Sequence, residues 1–140
     1  MTLVMTQHLF AISILIPDYH EAIAHYCGDL GFDLTEDTDM GGGKRFVRVT
    51  PPGSQCHLLL AKAKPGMQTK AIGNQFGGRV GLFLHTDDFA RDYAAYQAKG
   101  ITFCEPTPRH EDYGTVIVFQ DKYGTKWDLV QPAETHQQAD

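Results

Sequence analysis

Apolar and polar residues along the first half of the chain predict one helix among four strands. The segment HLFAISILIP alternates in polarity and is rich in β-branched residues, which is typical of a strand. The following segment opens at Asp18, a favourable N-cap, has apolar residues at helical spacing and ends at Gly31. Three more strands are predicted in FDLTED, KRFVRVT and CHLLLAKA, separated by a triple-glycine turn and a PPGS turn.

The second half repeats this order of elements. RVGLFLHT reads as a strand, and DDFARDYAAYQAKG reads as a helix that is capped by Asp87 or Asp88 and ends at Gly100. Three further strands are predicted in ITFCEP, GTVIVFQ and KWDLVQ. The pattern therefore predicts an α+β fold made of two tandem βαβββ modules.

The two halves also match residue by residue, which indicates a duplicated unit. A constant shift of 70 places Asp18 on Asp88 and Tyr26 on Tyr96. After a one-residue slip at the end of the helix, a shift of 71 aligns the turn glycines. The shift of 70 also matches Ala11 with Gly81, and the shift of 71 matches Arg48 with Phe119, Gly53 with Gly124 and His57 with Asp128. Two copies predict a pseudo-twofold pair of modules, because a solenoid needs three or more units to bury its core.

The chain length and the repeat predict a single domain over residues 1–140. Its predicted parts are module one at about 8–63, a linker at 64–78, module two at about 79–132 and a polar tail at 133–140. The linker is rich in glycine and polar residues, so it is interpreted either as a mobile lid or as an inert connector.

Charge and composition exclude several classes of function. The net charge of −5 comes from 17 acidic and 12 basic residues without a basic run, so a nucleic-acid partner is not expected. Three cysteines outside any CxxC pair argue against a disulfide framework or a thiolate zinc site. No apolar run approaches the roughly 18 to 20 residues of a membrane span, and we expect a cytoplasmic protein with no membrane partner.

The duplicated unit resembles the vicinal oxygen chelate superfamily, which includes glyoxalase I, the bleomycin resistance proteins and the extradiol dioxygenases. The segments that carry the resemblance include ILIPDYHEAIAHYCGDLGFDL and YGTVIVFQDKYGTKWDLVQ, and it extends from His8 to Gln131. The resemblance implies that each module curls into a half-barrel and that two modules form a cup around a metal or a ligand. It also implies open strand edges, from which we expect a homodimer.

Four positions correspond to the metal-ligand positions of that superfamily. The alignment assigns them to Ala11, His57, Gly81 and Asp128. Neither an alanine nor a glycine side chain can coordinate a metal, whereas a tightly held transition metal takes at least three protein ligands. No cofactor is therefore favoured, and a divalent metal, if one binds, would have only His57 and Asp128. The alternative is that these two side chains face each other and form a hydrogen bond.

The remaining ligand-binding candidates follow from strand parity. Ser13, Phe83 and His85 share the face of Ala11 and Gly81, whose small side chains leave volume for a small organic ligand. Two interpretations of Arg48 are open. Its guanidinium either binds an anionic substrate through two hydrogen bonds or forms an ion pair with an acidic residue on a neighbouring strand.

Three functions remain open at this point. The first is binding of a small organic molecule without a tightly bound catalytic metal. The second is a metal-dependent lyase, isomerase or dioxygenase of the same superfamily, and the third is a structural dimer partner without a ligand. His20 and His25 are expected at exposed positions of the first helix and receive no role.

Overall fold

The computed structural model describes residues 5–134, which divide into two compact units with their boundary between Ala63 and Lys64. Each unit contains one mixed sheet with a helix between its first two strands, which confirms the predicted α+β class. Of the predicted polar tail, only the first two residues lie within the described range. Among the described residues, no helix has the length and apolar character that a membrane crossing requires.

The first unit has the predicted βαβββ order. The elements are β1 (Ala11–Ile16), α1 (Tyr19–Ile23), β2 (Asp33–Gly41), β3 (Lys44–Thr50) and β4 (His57–Lys62). Its sheet has the strand order β1-β4-β3-β2, in which β1 runs parallel to β4 and the other pairs are antiparallel.

The first helix begins as predicted and then changes its geometry. The Asp18 side chain accepts a hydrogen bond from the Glu21 amide, as an N-cap does. From Ala24 to Asp29 the helix widens into a π-helix, in which the Leu30 amide bonds to the His25 carbonyl. The expectation that His25 is exposed is wrong, because its side chain is only 4% exposed and bonds to Asp29 at 2.9 Å.

The second unit contains more elements than predicted. The elements are α2 (Met67–Ala71), β5 (Val80–His85), α3 (Phe89–Ala98), β6 (Thr102–Phe103), β7 (Arg109–Glu111), β8 (Gly114–Gln120) and β9 (Lys126–Pro132). Its sheet has the order β5-β9-β8-β6, and a short additional strand, β7, also pairs with β8. The helix α2 lies within the predicted linker, and Asp88 rather than Asp87 caps α3.

The strand predicted in ITFCEP is reduced to the two residues of β6. At the next positions the Cys104 amide still bonds to the Val118 carbonyl, but the Val118 amide bonds to the side chain of Glu105 at 2.9 Å. A carboxylate thus replaces the backbone acceptor that a regular strand would supply. This substitution brings an acidic side chain against β8 and ends the ladder.

Candidate functional site

The first sheet separates an apolar face from a polar face. Alternate side chains of β1, β3 and β4 are at most 5% exposed and form the core of the unit: Ile14, Ile16, Val47, Val49, Leu58 and Leu60. The intervening positions point to the other side of the sheet. Among them, Ser13, Arg48, Thr50, His57 and Leu59 are called the polar face of the first sheet; the apolar Leu15, Phe46 and Ala61 have the same parity.

A chain of hydrogen bonds connects His57 to Arg48 across the polar face. The Nδ1 atom of His57 lies 2.6 Å from Thr50 Oγ1, which lies 2.8 Å from Thr35 Oγ1. Thr35 Oγ1 donates to the Arg48 carbonyl at 3.1 Å and accepts from Arg48 Nε at 3.1 Å. Thr35 lies on β2 at a shift in its register with β3, which brings its hydroxyl to the polar face. The two threonines therefore fix the imidazole and the guanidinium relative to each other.

Phe10 provides an aromatic surface beside both groups. Its ring meets the imidazole of His57 edge to face, with centroids 4.8 Å apart, and the Arg48 guanidinium carbon lies 5.2 Å from its centroid. The Phe10 carbonyl also accepts a hydrogen bond from the His57 amide. The Phe10 side chain is 48% exposed, and the side chains of His57 and Arg48 beside it are partly exposed.

Arg48 differs from its neighbour Arg45 in how its charge is balanced. Arg45 makes two hydrogen bonds to the Asp37 carboxylate, at 2.6 and 3.0 Å, and these bonds lower the pKa of Asp37. The nearest carboxylate oxygen to Arg48 is Glu36 Oε1 at 4.0 Å, which is beyond hydrogen-bonding distance. Within residues 5–134, the terminal nitrogens of Arg48 therefore donate to no hydrogen-bond acceptor, and the ion pair of Arg48 with Glu36 is longer than that of Arg45 with Asp37.

Asp128 lies on β9 of the second unit and has fewer hydrogen-bond partners than His57 and Arg48 have. Its Oδ1 atom is buried and has no hydrogen-bond partner within the described part of the chain. Burial raises the pKa of Asp128; the positive charge of Arg109 opposes this change and the negative charge of Glu105 reinforces it. Arg109 itself bonds to Glu105 at 2.5 Å and forms a second ion pair with Glu111 at 3.7 Å.

Phe83 and His85 lie on β5, beside β9. Phe83 pairs with Asp128 in the strand register and is 67% exposed, while His85 pairs with Val130 and is also exposed. Ser13 occupies the corresponding strand of the first unit and pairs with Leu59. The structure thus brings His57 and Arg48 together in the first unit and Phe83 and Asp128 together in the second.

Gly81 does not leave the volume that its small size predicted. The ring of Phe76, in the segment before β5, occupies the space where a Cβ atom would lie. A glycine is needed here because the aromatic ring packs directly on the backbone of β5. The expectation of ligand volume at this position is therefore wrong.

The strand registers correct the alignment of the two modules. In the first sheet Ser13 pairs with Leu59, and in the second sheet Phe83 pairs with Asp128. Since the shift of 70 matches Ser13 with Phe83, Asp128 is equivalent to Leu59 rather than to His57. His57 is then two residues, or roughly 6.6 Å, from the position equivalent to Asp128.

The same correction applies to Arg48. It pairs with Leu59, and its equivalent is Val118, which pairs with Asp128; the predicted match with Phe119 is wrong. Phe119 lies on the opposite, fully buried face of its sheet. The error comes from the turns, because the turn before β4 spans residues 51–56 whereas the turn before β9 spans 121–125 and is one residue shorter.

The donor atoms do not fit the metal site that the resemblance implies. Ala11, the strand partner of His57, offers no side-chain ligand, and Gly81 is covered by Phe76. No group of three or more His, Cys, Asp and Glu side chains that could hold a metal ion occurs within residues 5–134. His57 and Asp128 alone are fewer ligands than a transition metal usually requires.

Three members of the site were missed by the sequence reasoning. Phe10 lies just before the first strand, and Thr35 and Thr50 are small polar residues of a common type. Thr50 had a signal, since it shares the parity of Arg48 on β3. Thr35 had none, because the register shift that brings it to Arg48 is not visible in the sequence.

Comparison with known proteins agrees with this architecture. The model of the Glyoxalase/Bleomycin resistance protein/Dioxygenase superfamily matches residues 7–129. An uncharacterized protein of Shewanella frigidimarina is 53% identical over 129 residues, which cover 91% of this chain and 95% of that protein.

Two solved structures share the fold at moderate sequence identity. TnmS3, an antibiotic binding protein from Streptomyces sp. CB03234, is 29% identical with a TM-score of 0.75, covering 94% of this chain and 100% of that chain. A superfamily member from Sphaerobacter thermophilus is 27% identical with a TM-score of 0.68, covering 91% and 99% of the two chains.

Proposed function

Because the chain belongs to the Glyoxalase/Bleomycin resistance protein/Dioxygenase superfamily, we propose that it binds a small organic acid with a flat ring, without a tightly bound catalytic metal. The proposed site is the polar face of the first sheet together with Phe10. The observation that carries the proposal is the Arg48 guanidinium, which is held at the Phe10 ring with its terminal nitrogens bonded to no acceptor within residues 5–134.

The chemistry of these groups matches a planar anion. A guanidinium presents parallel N–H donors that fit the two oxygens of a carboxylate, and Arg48 is held by its Nε atom, which leaves the outer nitrogens to the ligand. The exposed ring of Phe10 offers an apolar surface on which a flat ligand ring stacks. Ser13 lies on the same face and is included in the proposed site.

The comparison with TnmS3 supports binding rather than catalysis, because that protein is an antibiotic binding protein and is 29% identical to this chain. The metal-dependent lyase, isomerase or dioxygenase is less well supported, since the donor atoms do not form a metal site. Phe83, His85 and Asp128 stay candidates for further ligand contacts, and a bridge between His57 and Asp128 through one water stays a prediction.

Isothermal titration with benzoate and with benzyl alcohol tests the proposal. We expect benzoate to bind and benzyl alcohol to bind much more weakly, because only benzoate has the carboxylate. Arg48→Gln should weaken benzoate binding by about 10- to 100-fold, which corresponds to the loss of a charge-assisted hydrogen-bonding pair.

Arg45→Gln is the matched control on the same strand. Arg45 is saturated by Asp37 and lies at the Tyr19 ring, so its replacement should lower stability and leave benzoate binding unchanged. Equal loss of binding in both variants, or equal binding of benzoate and benzyl alcohol, would contradict the proposal.

We also propose a homodimer. Within the described residues, β1 and β5 each pair with one neighbour only, so each leaves an open strand edge. Sedimentation equilibrium at micromolar concentration should show a mass twice that of the 15.6 kDa chain, and a monomer throughout would contradict it.

A further inference from the structure

We infer that the hydrogen bonds through Thr50 and Thr35 hold His57 with its proton on Nδ1, so that Nε2 is a hydrogen-bond acceptor. The site therefore selects ligands that have a hydroxyl or amine donor beside the acid group. The choice of ligand rests on the proposed function, whereas the position of the proton does not.

Two contacts have only one chemically allowed direction. Arg48 Nε can only donate, so Thr35 Oγ1 accepts from it. The Arg48 carbonyl can only accept, so the single hydroxyl hydrogen of Thr35 is donated to it. The Thr35 hydroxyl therefore has no hydrogen left for Thr50. Its remaining lone pair can accept one further hydrogen bond.

These assignments determine the direction of the next two bonds. Thr50 lies 2.8 Å from Thr35 Oγ1 and must donate its hydroxyl hydrogen there. The contact of 2.6 Å between Thr50 Oγ1 and His57 Nδ1 then needs its hydrogen from the histidine. All four contacts are satisfied only when Nδ1 is protonated, which leaves the lone pair of a neutral imidazole on Nε2.

The opposite tautomer has a definite cost. If Nε2 carried the proton, Thr50 would donate to His57 and Thr35 would donate to Thr50. The contact of 3.1 Å between Thr35 Oγ1 and the Arg48 carbonyl would then lose its hydrogen. One hydrogen bond is worth about 1 kcal/mol, so these hydrogen bonds favour the population of the Nδ1–H tautomer over the Nε2–H tautomer by roughly fivefold.

The Nε2 atom is available to a ligand. Within residues 5–134 it has no hydrogen-bond partner, and the polar side-chain atoms that are buried without one in this range are on Thr125 and Asp128, so Nε2 reaches the surface. The edge contact with Phe10 restrains the plane of the imidazole. A ligand whose acid group binds Arg48 can therefore donate a hydrogen bond from a neighbouring polar group to His57 Nε2.

Nitrogen-15 NMR of the ring of His57 tests the tautomer without any ligand. The spectra are recorded under alkaline conditions, because the two tautomers are distinguished in the neutral imidazole. We expect the pattern of an Nδ1–H imidazole in the unmodified protein and in Thr50→Ser, which keeps the hydroxyl. Thr50→Val, which removes it, should shift the population toward Nε2–H. A predominantly Nε2–H ring in the unmodified protein would overturn the inference.

Ligand selection is measured by titration with 3-hydroxybenzoate, 3-methoxybenzoate and benzoate. The hydroxyl can donate to Nε2 and the methoxy group cannot, so 3-hydroxybenzoate should bind about tenfold more tightly than either other acid. This preference should disappear in His57→Phe while dependence on Arg48 persists. If benzoate binding depends on Arg48 but the hydroxyl gives no advantage, the donor selectivity is wrong and the proposed function stands. If no benzoate binds, the proposed function fails while the NMR result still decides the tautomer.

Discussion

The two units bury equivalent side chains, but the opposite faces of their sheets differ in hydrogen bonding. Tyr26 and Tyr96 are both buried, as are Val49 and Phe119, which the corrected register makes equivalent. On the opposite face the first sheet has a continuous hydrogen-bond chain, whereas Asp128 of the second sheet has a buried oxygen without a partner in the described chain. The comparison teaches that packing of the buried face constrains both copies and that the polar face can change independently.

The two equivalent turns show the same divergence. The turn before β4 is held locally, by Ser54 Oγ donating to the Cys56 carbonyl at 2.8 Å and accepting from its amide. The turn before β9 is held by the buried carboxylate of Asp121, which accepts from the Tyr123 and Thr125 amides and from the indole of Trp127 at 3.1 Å. The second turn is thus tied to the core, and the first is not.

The largest expected effect follows from this difference between the turns. Asp121→Ala removes three hydrogen bonds to a charged group and leaves buried donors unpaired, so it should lower the free energy of unfolding by about 3 kcal/mol or more. Ser54→Ala should cost about 1 kcal/mol or less. Urea denaturation measures both values, and equal losses would show that the two turns are not anchored differently.

A second pair of substitutions compares equivalent positions on β1 and β5. Gly81→Ala forces its new methyl group against the Phe76 ring and should cost about 1 to 3 kcal/mol. Ala11→Gly should cost less than about 1 kcal/mol. If the contact with Phe76 is the cause, the double variant Gly81→Ala with Phe76→Ala will be less unstable than the sum of the two single changes. Simple additivity would contradict that cause.

The smallest expected effect concerns pH and has opposite signs in the two units. The pKa of Asp128 is raised by burial, so the folded state prefers the protonated acid and stability is lost as pH rises above about 4. Asp128→Asn should therefore stabilise the protein at neutral pH, by less than about 1 kcal/mol because solvent reaches the side chain, and should have little effect near pH 3.

The control for this effect is Asp37, whose pKa is lowered by its hydrogen bond with Arg45. Its contribution to stability is present above the unfolded pKa of about 4 and is lost as pH falls. Asp37→Asn should thus destabilise the protein at neutral pH, and thermal unfolding between pH 3 and 8 compares the two variants. The same sign in both would contradict the assigned pKa directions.

The sequence was sufficient for the features that depend on local patterns. The alternation of polar and apolar residues predicted β3 and β4, and the N-cap signals located the two predicted helices, α1 and α3. Strand parity also places Trp127 on the face opposite Asp128, and Trp127 is 2% exposed.

The errors arose where structure depends on contacts distant in sequence. The π-helix that buries His25 and the ring of Phe76 on Gly81 depend on tertiary packing. The glycines of the two turns suggested an alignment that the strand registers contradict, because one turn has an extra residue. A slip of one residue reverses the face assigned to a side chain, which is how Phe119 was matched with Arg48.

Amide NMR during a benzoate titration tests the central claim most directly, because it observes both units at once. We predict that the largest shifts occur at Arg48, Thr50 and His57, that Val118 and Lys126, at the equivalent positions of the second unit, change less, and that Arg48→Gln removes the response. Shifts that are largest at Val118 and Lys126, or a response that persists in Arg48→Gln, would contradict the assignment of the site to the polar face of the first sheet.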